Sequence, residues 1–216
     1  MGAGGPYHVD SNGDGFIDLN DTPNADAKGL ALTGGNLGIF AASDTSGNEW
    51  LAIKAGIDAA EVVGVDGFEA YAKDLSLEVN RAFGENAEVL DFATTPLVLA
   101  TGEGQSLTFD MDGADGELTR AQGRFGLNIQ DFIQVHGELA LELADRTLTL
   151  ANGETVEASG LTLGGGNLSA FAGVGGPYFV DSNNDGLING DDARNENATG
   201  VVLDNAYVAL ALLDAK

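Results

Sequence analysis

Apolar and polar residues alternate along much of the chain with the period of two that a half-buried β-strand requires. The alternation is clearest in residues 51–57, 75–79 and 125–143. Turns are predicted at Ala144–Arg146 and at Asn152–Gly153, the second being a pair typical of tight hairpins. No stretch carries a convincing helical period of 3.6 residues. The pattern predicts an all-β protein, either an antiparallel β-sandwich or a long curled β-sheet.

The acidic composition of the chain limits the kinds of molecule that it can bind. The 216 residues include 34 acidic and 9 basic side chains, for a net charge of −25. A surface of this charge repels nucleic acid and anionic membranes. There is also no apolar run of about 18 residues for a membrane-spanning helix. Neither nucleic-acid binding nor membrane insertion is therefore expected, and the absence of cysteine excludes disulfides and thiol chemistry.

Two twelve-residue stretches, 10–21 and 181–192, place oxygen-bearing groups at the ligand positions of an EF-hand-type calcium loop. Gly15 and Gly186 stand at the sixth position, where the chain must turn sharply. The residue at position seven contributes its backbone carbonyl as the ligand. Position twelve is aspartate instead of the usual glutamate. Two Ca²⁺ sites are predicted. Their ligands are Asp10, Asn12, Asp14, Phe16, Asp18 and Asp21 in the first loop, and Asp181, Asn183, Asp185, Leu187, Asn189 and Asp192 in the second.

The two loops belong to an internal repeat with an offset of 171 residues. Between Gly2/Gly173 and Ser43/Asp214, 17 of 42 aligned residues are identical, and 11 of 14 are identical in the window that begins at residue 4. We interpret residues 1–172 as one full β-rich repeat and 173–216 as the start of the next, within a longer array. The calcium loops would then lie at the repeat boundaries, with neighbouring repeats as partners.

The pattern D-x-N-x-D-G-x-I-N-x-x-D at 181–192 resembles a dockerin calcium loop. The segments on either side of it read as extended, not helical, so the likeness is confined to the loop. The whole chain resembles one repeat of the giant calcium-binding tandem-repeat proteins that bacteria secrete or display, the adhesin and haemolysin-like class. That resemblance implies an extracellular or cell-surface location and a structural role.

Other chemistry has weaker signals. A third acidic cluster consists of Asp110, Asp112, Asp115 and Glu117. It is either a further ion-binding site or a polar turn. The two histidines, His8 and His136, are far apart in sequence, and no nucleophile or phosphate-loop motif is present. An enzyme is therefore not expected. The alternatives to a structural repeat are a glycan- or protein-binding module and a self-assembling extracellular layer or filament subunit, in which calcium drives assembly of the chain with itself.

Overall fold

A computed structural model of the chain describes residues 2–18, 20–85, 87–102, 104–185, 187–188 and 191–215. These residues form fourteen strands and one three-residue 3₁₀ helix, and they contain no α-helix. The strands are β1 Gly2–Ala3, β2 His8–Val9, β3 Thr22–Pro23, β4 Lys28–Ser43, β5 Glu49–Val63, β6 Phe68–Phe83, β7 Leu97–Gly102, β8 Gln105–Phe109, β9 Leu118–Ile129, β10 Ile133–Thr149, β11 Thr155–Val174, β12 Phe179–Val180, β13 Ala193–Arg194 and β14 Thr199–Ala215.

One large antiparallel sheet organises the described residues. Its eight strands follow the order β1-β4-β5-β6-β9-β10-β11-β14, while β2–β3, β7–β8 and β12–β13 form separate two-stranded ladders. The predicted all-β, antiparallel architecture is confirmed, as the large single sheet. No described helix is long and apolar enough to cross a membrane.

The turn expected at Ala144–Arg146 is wrong. Strand β10 runs on to Thr149, and its ladder with β11 continues to the pair Thr149–Thr155. The second predicted turn, at the Asn152–Gly153 pair, is confirmed: the N–H of Leu150 donates to the carbonyl of Glu154 across it. Pairing with β11 through Asp145–Ser159 and Arg146–Ala158 outweighs the local turn preference of the Asp-Arg sequence.

The sheet has one apolar face that no described residue covers. Directly opposite residues of neighbouring strands share a face, and the registers align two rows across seven strands that are apolar except for Thr119. The rows contain no charged residue: Ile39, Ile53, Val79, Thr119, Leu143, Leu161 and Leu212 form one, and Leu37, Ala55, Leu77, Ala121, Leu141, Leu163 and Leu210 form the other. Leu37 and Leu212 are 63% and 57% exposed.

The opposite face is polar across its middle. Lys54, Glu78, Arg120 and Glu142 lie opposite one another on four successive strands. Their charges alternate, and neighbours form ion pairs at 3.9, 3.6 and 2.9 Å. Exposed pairs of this kind add little stability each, but the row distinguishes this face clearly from the apolar one.

One end of the polar face is covered by the insertion between β6 and β9, which contains β7 and β8. Its buried core includes Phe92, Phe109 and Met111, packed on Ala52 of β5. A Cβ on Gly38 of β4 would lie 2.9 Å from the ring of Phe109, so glycine is needed for this close approach. The insertion supplies the main apolar core of the described residues.

A single layer with one bare face leaves much surface exposed. The chain exposes 13402 Å², whereas a folded monomer of this mass exposes about 9,300 Å². The surplus of about 4,000 Å² is what a missing second layer would produce.

Candidate calcium loops

The carboxylates of the first loop hold its own backbone. The two oxygens of Asp10 accept hydrogen bonds from the N–H groups of Gly13 at 2.6 Å and Gly15 at 3.0 Å. Gly15 has a φ of +83°, a left-handed conformation that glycine adopts without steric cost. Asp14 accepts from the N–H of Phe16 at 2.8 Å. These short-range bonds fix residues 10–16 as a tight turn.

Asp21 closes the first loop from its far end. Its buried carboxylate accepts from the N–H groups of Ser11 at 2.8 Å and Asp18 at 3.0 Å. These bonds, led by the one from Asp18, lower the pKa of Asp21. The hydroxyl of Ser11 also accepts from the N–H of Thr22 at 3.1 Å. Ser11 therefore joins the two ends of the loop, a role that the ligand pattern did not identify.

The second loop repeats these bonds. The N–H of Ser182 donates to Asp192 at 3.0 Å, as Ser11 does to Asp21. Asp185 accepts from the N–H of Leu187 at 2.7 Å, and its own N–H donates to Asn183 at 3.0 Å. The same side chains at the same spacing therefore make the same bonds at these described positions of both loops.

The structure places the described ligands Asp10, Asn12 and Asp14 on one tight turn, and Asp181, Asn183 and Asp185 at the equivalent positions of the second loop. Within the described ranges, no three Asp, Glu, His or Cys side chains are grouped so as to hold a metal. The predicted ligand Asn189 and the neighbouring Gly186 and Gly190 lie outside the described residues. The donor chemistry, carboxylate and amide oxygens, is the kind that calcium prefers. Coordination of calcium by these oxygens stays a prediction.

Two asparagines beyond the ligand pattern hold the frame of each loop. The amide of Asn24 donates to the carbonyls of Gly4 at 3.1 Å and Pro6 at 3.0 Å. Asn195, at the equivalent position, donates to Gly175 at 2.9 Å and Pro177 at 3.0 Å. Their identity at the 171-residue offset was the sequence signal that could have found them.

The second loop is seated on the sheet through the strand that enters it. Gln134 of β10 is buried, accepts from the N–H groups of Tyr178 at 3.0 Å and Phe179 at 2.9 Å, and donates to the carbonyl of Phe179 at 2.8 Å. Phe179 is 4% exposed and packs edge-on against His136, whose pKa is lowered by burial. Tyr178 stacks on Phe171 of β11 with ring centroids 5.3 Å apart.

Two residues of β6 contact the second loop itself. The ammonium of Lys73 donates to the backbone carbonyl of Asp185 at 3.4 Å. The ring of Tyr71 packs against Gly126 of β9, where a Cβ would come within 2.2 Å of the ring. Burial raises the pKa of Tyr71, and the carboxylates of the loop add to this, against an opposing hydrogen bond from the backbone of Ile188.

Among the described residues, the first loop has no contacts comparable to those that the second loop makes with β6 and β10. Phe16 and Ile17 are 73% and 59% exposed, whereas the equivalent Leu187 and Ile188 are half-buried. Its entering strand is anchored by Tyr7, whose hydroxyl donates to Glu61 at the long distance of 3.5 Å. The two loops therefore have similar sequences but different contacts with the rest of the protein.

The third acidic cluster is occupied by protein groups. Each of its four side chains has a partner: Asp110 pairs with Lys54, Asp112 accepts from the N–H of Ala114 at 2.8 Å, Asp115 pairs with Arg120 at 3.4 Å, and Glu117 pairs with Arg81 at 3.3 Å. This arrangement favours the polar-turn interpretation over a further ion site.

No protein-family model, curated protein or solved structure gives a significant match to this chain.

Proposed function

We propose that this chain is a calcium-binding structural repeat of a bacterial extracellular or cell-surface protein of the adhesin class. Calcium would bind the loops at 10–21 and 181–192 and rigidify the junction between repeats. The role is mechanical, not catalytic. The ions would neutralise clustered carboxylates, which otherwise repel one another and favour local opening.

One observation carries the proposal: the second loop opens the second period of the sequence but lies on strands of the first. Gln134 and Tyr71, which hold it, belong to β10 and β6. A cation that fixes this loop would therefore also fix the start of one period against the sheet of the preceding one.

Calorimetry on the metal-stripped protein tests the proposal. We expect two ions to bind with dissociation constants of about 10⁻⁴ to 10⁻³ M. Once both sites are saturated, the free energy of unfolding should rise by about 1.4 kcal/mol per site, or about 2.8 kcal/mol for two sites, for each further tenfold rise in calcium. The double variant Asp14→Ala/Asp185→Ala is the control for nonspecific binding by an acidic surface. No binding at millimolar calcium, or equal stabilisation of the double variant, would contradict calcium binding by the loops.

Junction stiffening has its own readout. Hydrogen exchange of residues 178–185 should slow in calcium relative to chelator, because an ordered loop opens less often. Unchanged exchange there, with calcium bound, would separate calcium binding from the proposed mechanical role.

The uncovered apolar face favours a second candidate function, a self-assembling layer or filament subunit. Two copies packed face to face, about 10 Å apart, would cover surplus surface on each copy, and the surplus of about 4,000 Å² per copy exceeds the roughly 800 Å² per partner of a standard interface. Sedimentation of the wild type should then show concentration-dependent dimers that Leu141→Lys abolishes. A wild type that stays monomeric at every concentration would exclude this candidate.

A further inference from the structure

Strand β4 lies near one end of the sheet and has an open edge. Its counterpart in the second period is β14, whose equivalent edge is paired with β11. Strand β14 begins 171 residues after β4, at Thr199 against Lys28. Through one edge β14 pairs with β11 over fourteen residue pairs, from Val174–Thr199 to Ala158–Ala215. Strand β4 pairs with β5 through its other edge. The two strands therefore occupy equivalent positions in the repeat, but among the described residues only β14 pairs with a β11 strand along its length.

The short strand β1 identifies which edge of β4 is the equivalent one. It forms the pairs Gly2–Gly29 and Ala3–Lys28 with β4. Adding 171 to each number gives Gly173–Gly200 and Val174–Thr199, which are the last two pairs of the β11–β14 ladder. Strand β1 thus occupies the place of the last two residues of a β11 strand, in the same register. The rest of that edge, along residues 30–43, has no strand partner among the described residues.

We propose that this edge of β4 binds the β11 strand of another copy of the repeat, so that successive repeats form one continuous antiparallel sheet. This inference rests on the repeat part of the proposed function and names the partner and the register. Leu32 would lie opposite Ala170 of the other copy, because Leu203 lies opposite Ala170 within this one.

The composition of both strands suits such pairing. Edge strands usually resist association through charged residues or proline. Residues 29–43 of β4 contain no charged residue and no proline, although the chain carries 34 acidic side chains. Residues 158–174 of β11 are equally uncharged. Two acidic copies can therefore approach along this edge without placing like charges opposite each other.

The strand count also allows indefinite extension. Each period contributes six strands to the sheet: β4, β5, β6, β9, β10 and β11. An even number of antiparallel strands returns β14 to the direction of β4, so the next period continues the same alternation. Each added repeat would lengthen the sheet by about 29 Å, at roughly 4.8 Å per strand.

Disulfide trapping tests the pairing and its register, because the chain has no cysteine. The probe is a synthetic peptide of residues 155–172, which leaves β1 in place, carrying Ala170→Cys. It is mixed with full-length protein carrying Leu32→Cys. The matched control is Leu203→Cys, since the two leucines are similarly exposed, at 60% and 54%, and differ in whether the β11 edge is already occupied.

Paired thiols have an effective concentration in the millimolar range, so at roughly 0.1 mM peptide we expect Leu32→Cys to react about tenfold faster than Leu203→Cys. A peptide with Ser169→Cys, whose side chain faces the opposite side of the sheet, should react slowly with both. Hydrogen exchange should show protection of residues 30–43 but not 199–215. Equal rates for the two protein variants, equal rates for the two peptides, or protection confined to 199–215 would overturn the inference.

Running both arms in calcium and in chelator separates this inference from calcium binding. Selective cross-linking without calcium stabilisation would support edge pairing and reject the calcium role. Calcium stabilisation without selective cross-linking would do the reverse.

Discussion

The two loops share a ligand pattern and several hydrogen bonds, but among the described residues only the second lies on the sheet. Phe179, which enters the second loop, is 4% exposed and is held by Gln134. Its equivalent in the first loop is His8, which is half-buried beside Tyr7. The difference teaches that side chain-to-backbone bonds suffice to form the turn, whereas its rigidity depends on a surface contributed by another part of the chain.

Removing the aromatic anchor should have the largest effect. Phe179→Ala should lower the free energy of unfolding by about 3–5 kcal/mol, because it empties a buried site against His136. His8→Ala, the matched change at the first loop, should cost less than about 1 kcal/mol. Urea denaturation of both variants measures the difference. Equal losses would mean that the second loop is no better seated than the first.

The next effect concerns the polar contact beneath the second loop. Gln134→Leu removes the acceptor for the N–H groups of Tyr178 and Phe179 and should cost roughly 1–3 kcal/mol for each buried group left unsatisfied. Hydrogen exchange at these two amides should also accelerate. Gln122→Leu, an exposed glutamine on the same face of β9, is the control and should change neither quantity. Unaltered exchange in Gln134→Leu would remove this contact from the explanation.

Calcium affinity should differ between the loops by about tenfold, equivalent to 1.4 kcal/mol. The second loop is expected to bind more tightly, since a preorganised loop loses less conformational entropy on binding. Asp18 at position 9 gives the first loop an extra carboxylate and pulls the other way. Separate calorimetric titrations of Asp14→Ala and Asp185→Ala isolate one loop each. Tighter calcium binding by Asp185→Ala, in which only the first loop is intact, would show that the extra carboxylate matters more than the contacts of the second loop with the sheet.

The smallest expected effect is a shift in titration. Burial, and then the loop carboxylates, raise the pKa of Tyr71. Calcium would neutralise those carboxylates, so the pKa of Tyr71 should be lower in calcium than in chelator. Tyr7, whose pKa is raised by burial and by Glu61 instead, should shift less. Ultraviolet titration can follow both groups, with Tyr71→Phe to assign the transition. An unchanged titration of Tyr71 with calcium bound would place the ion away from the second loop.

Prediction from sequence succeeded where the determining interactions are local. The alternation in residues 51–57 and 125–143 predicted strands, because side chains of a strand alternate between faces whatever the strand packs against. It failed at Ala144–Arg146, where pairing with β11 extends β10 through a sequence with turn preference. The structural roles of Ser11 and Asn24 were not predicted, because these residues bind backbone groups and do not occupy ligand positions.

The sequence by itself determined the all-β architecture, the 171-residue repeat and the carboxylate-capped turns, since each depends on residues close together in the chain or on direct comparison of its two copies. Only the tertiary structure decided that the second loop lies on β6 and β10, and that no part of the chain that the structure describes covers the apolar face of the sheet. Alternation indicates that a strand has an apolar face, but not what covers it. That choice depends on contacts between residues such as Gln134 and Phe179, 45 positions apart, whose pairing no local pattern encodes.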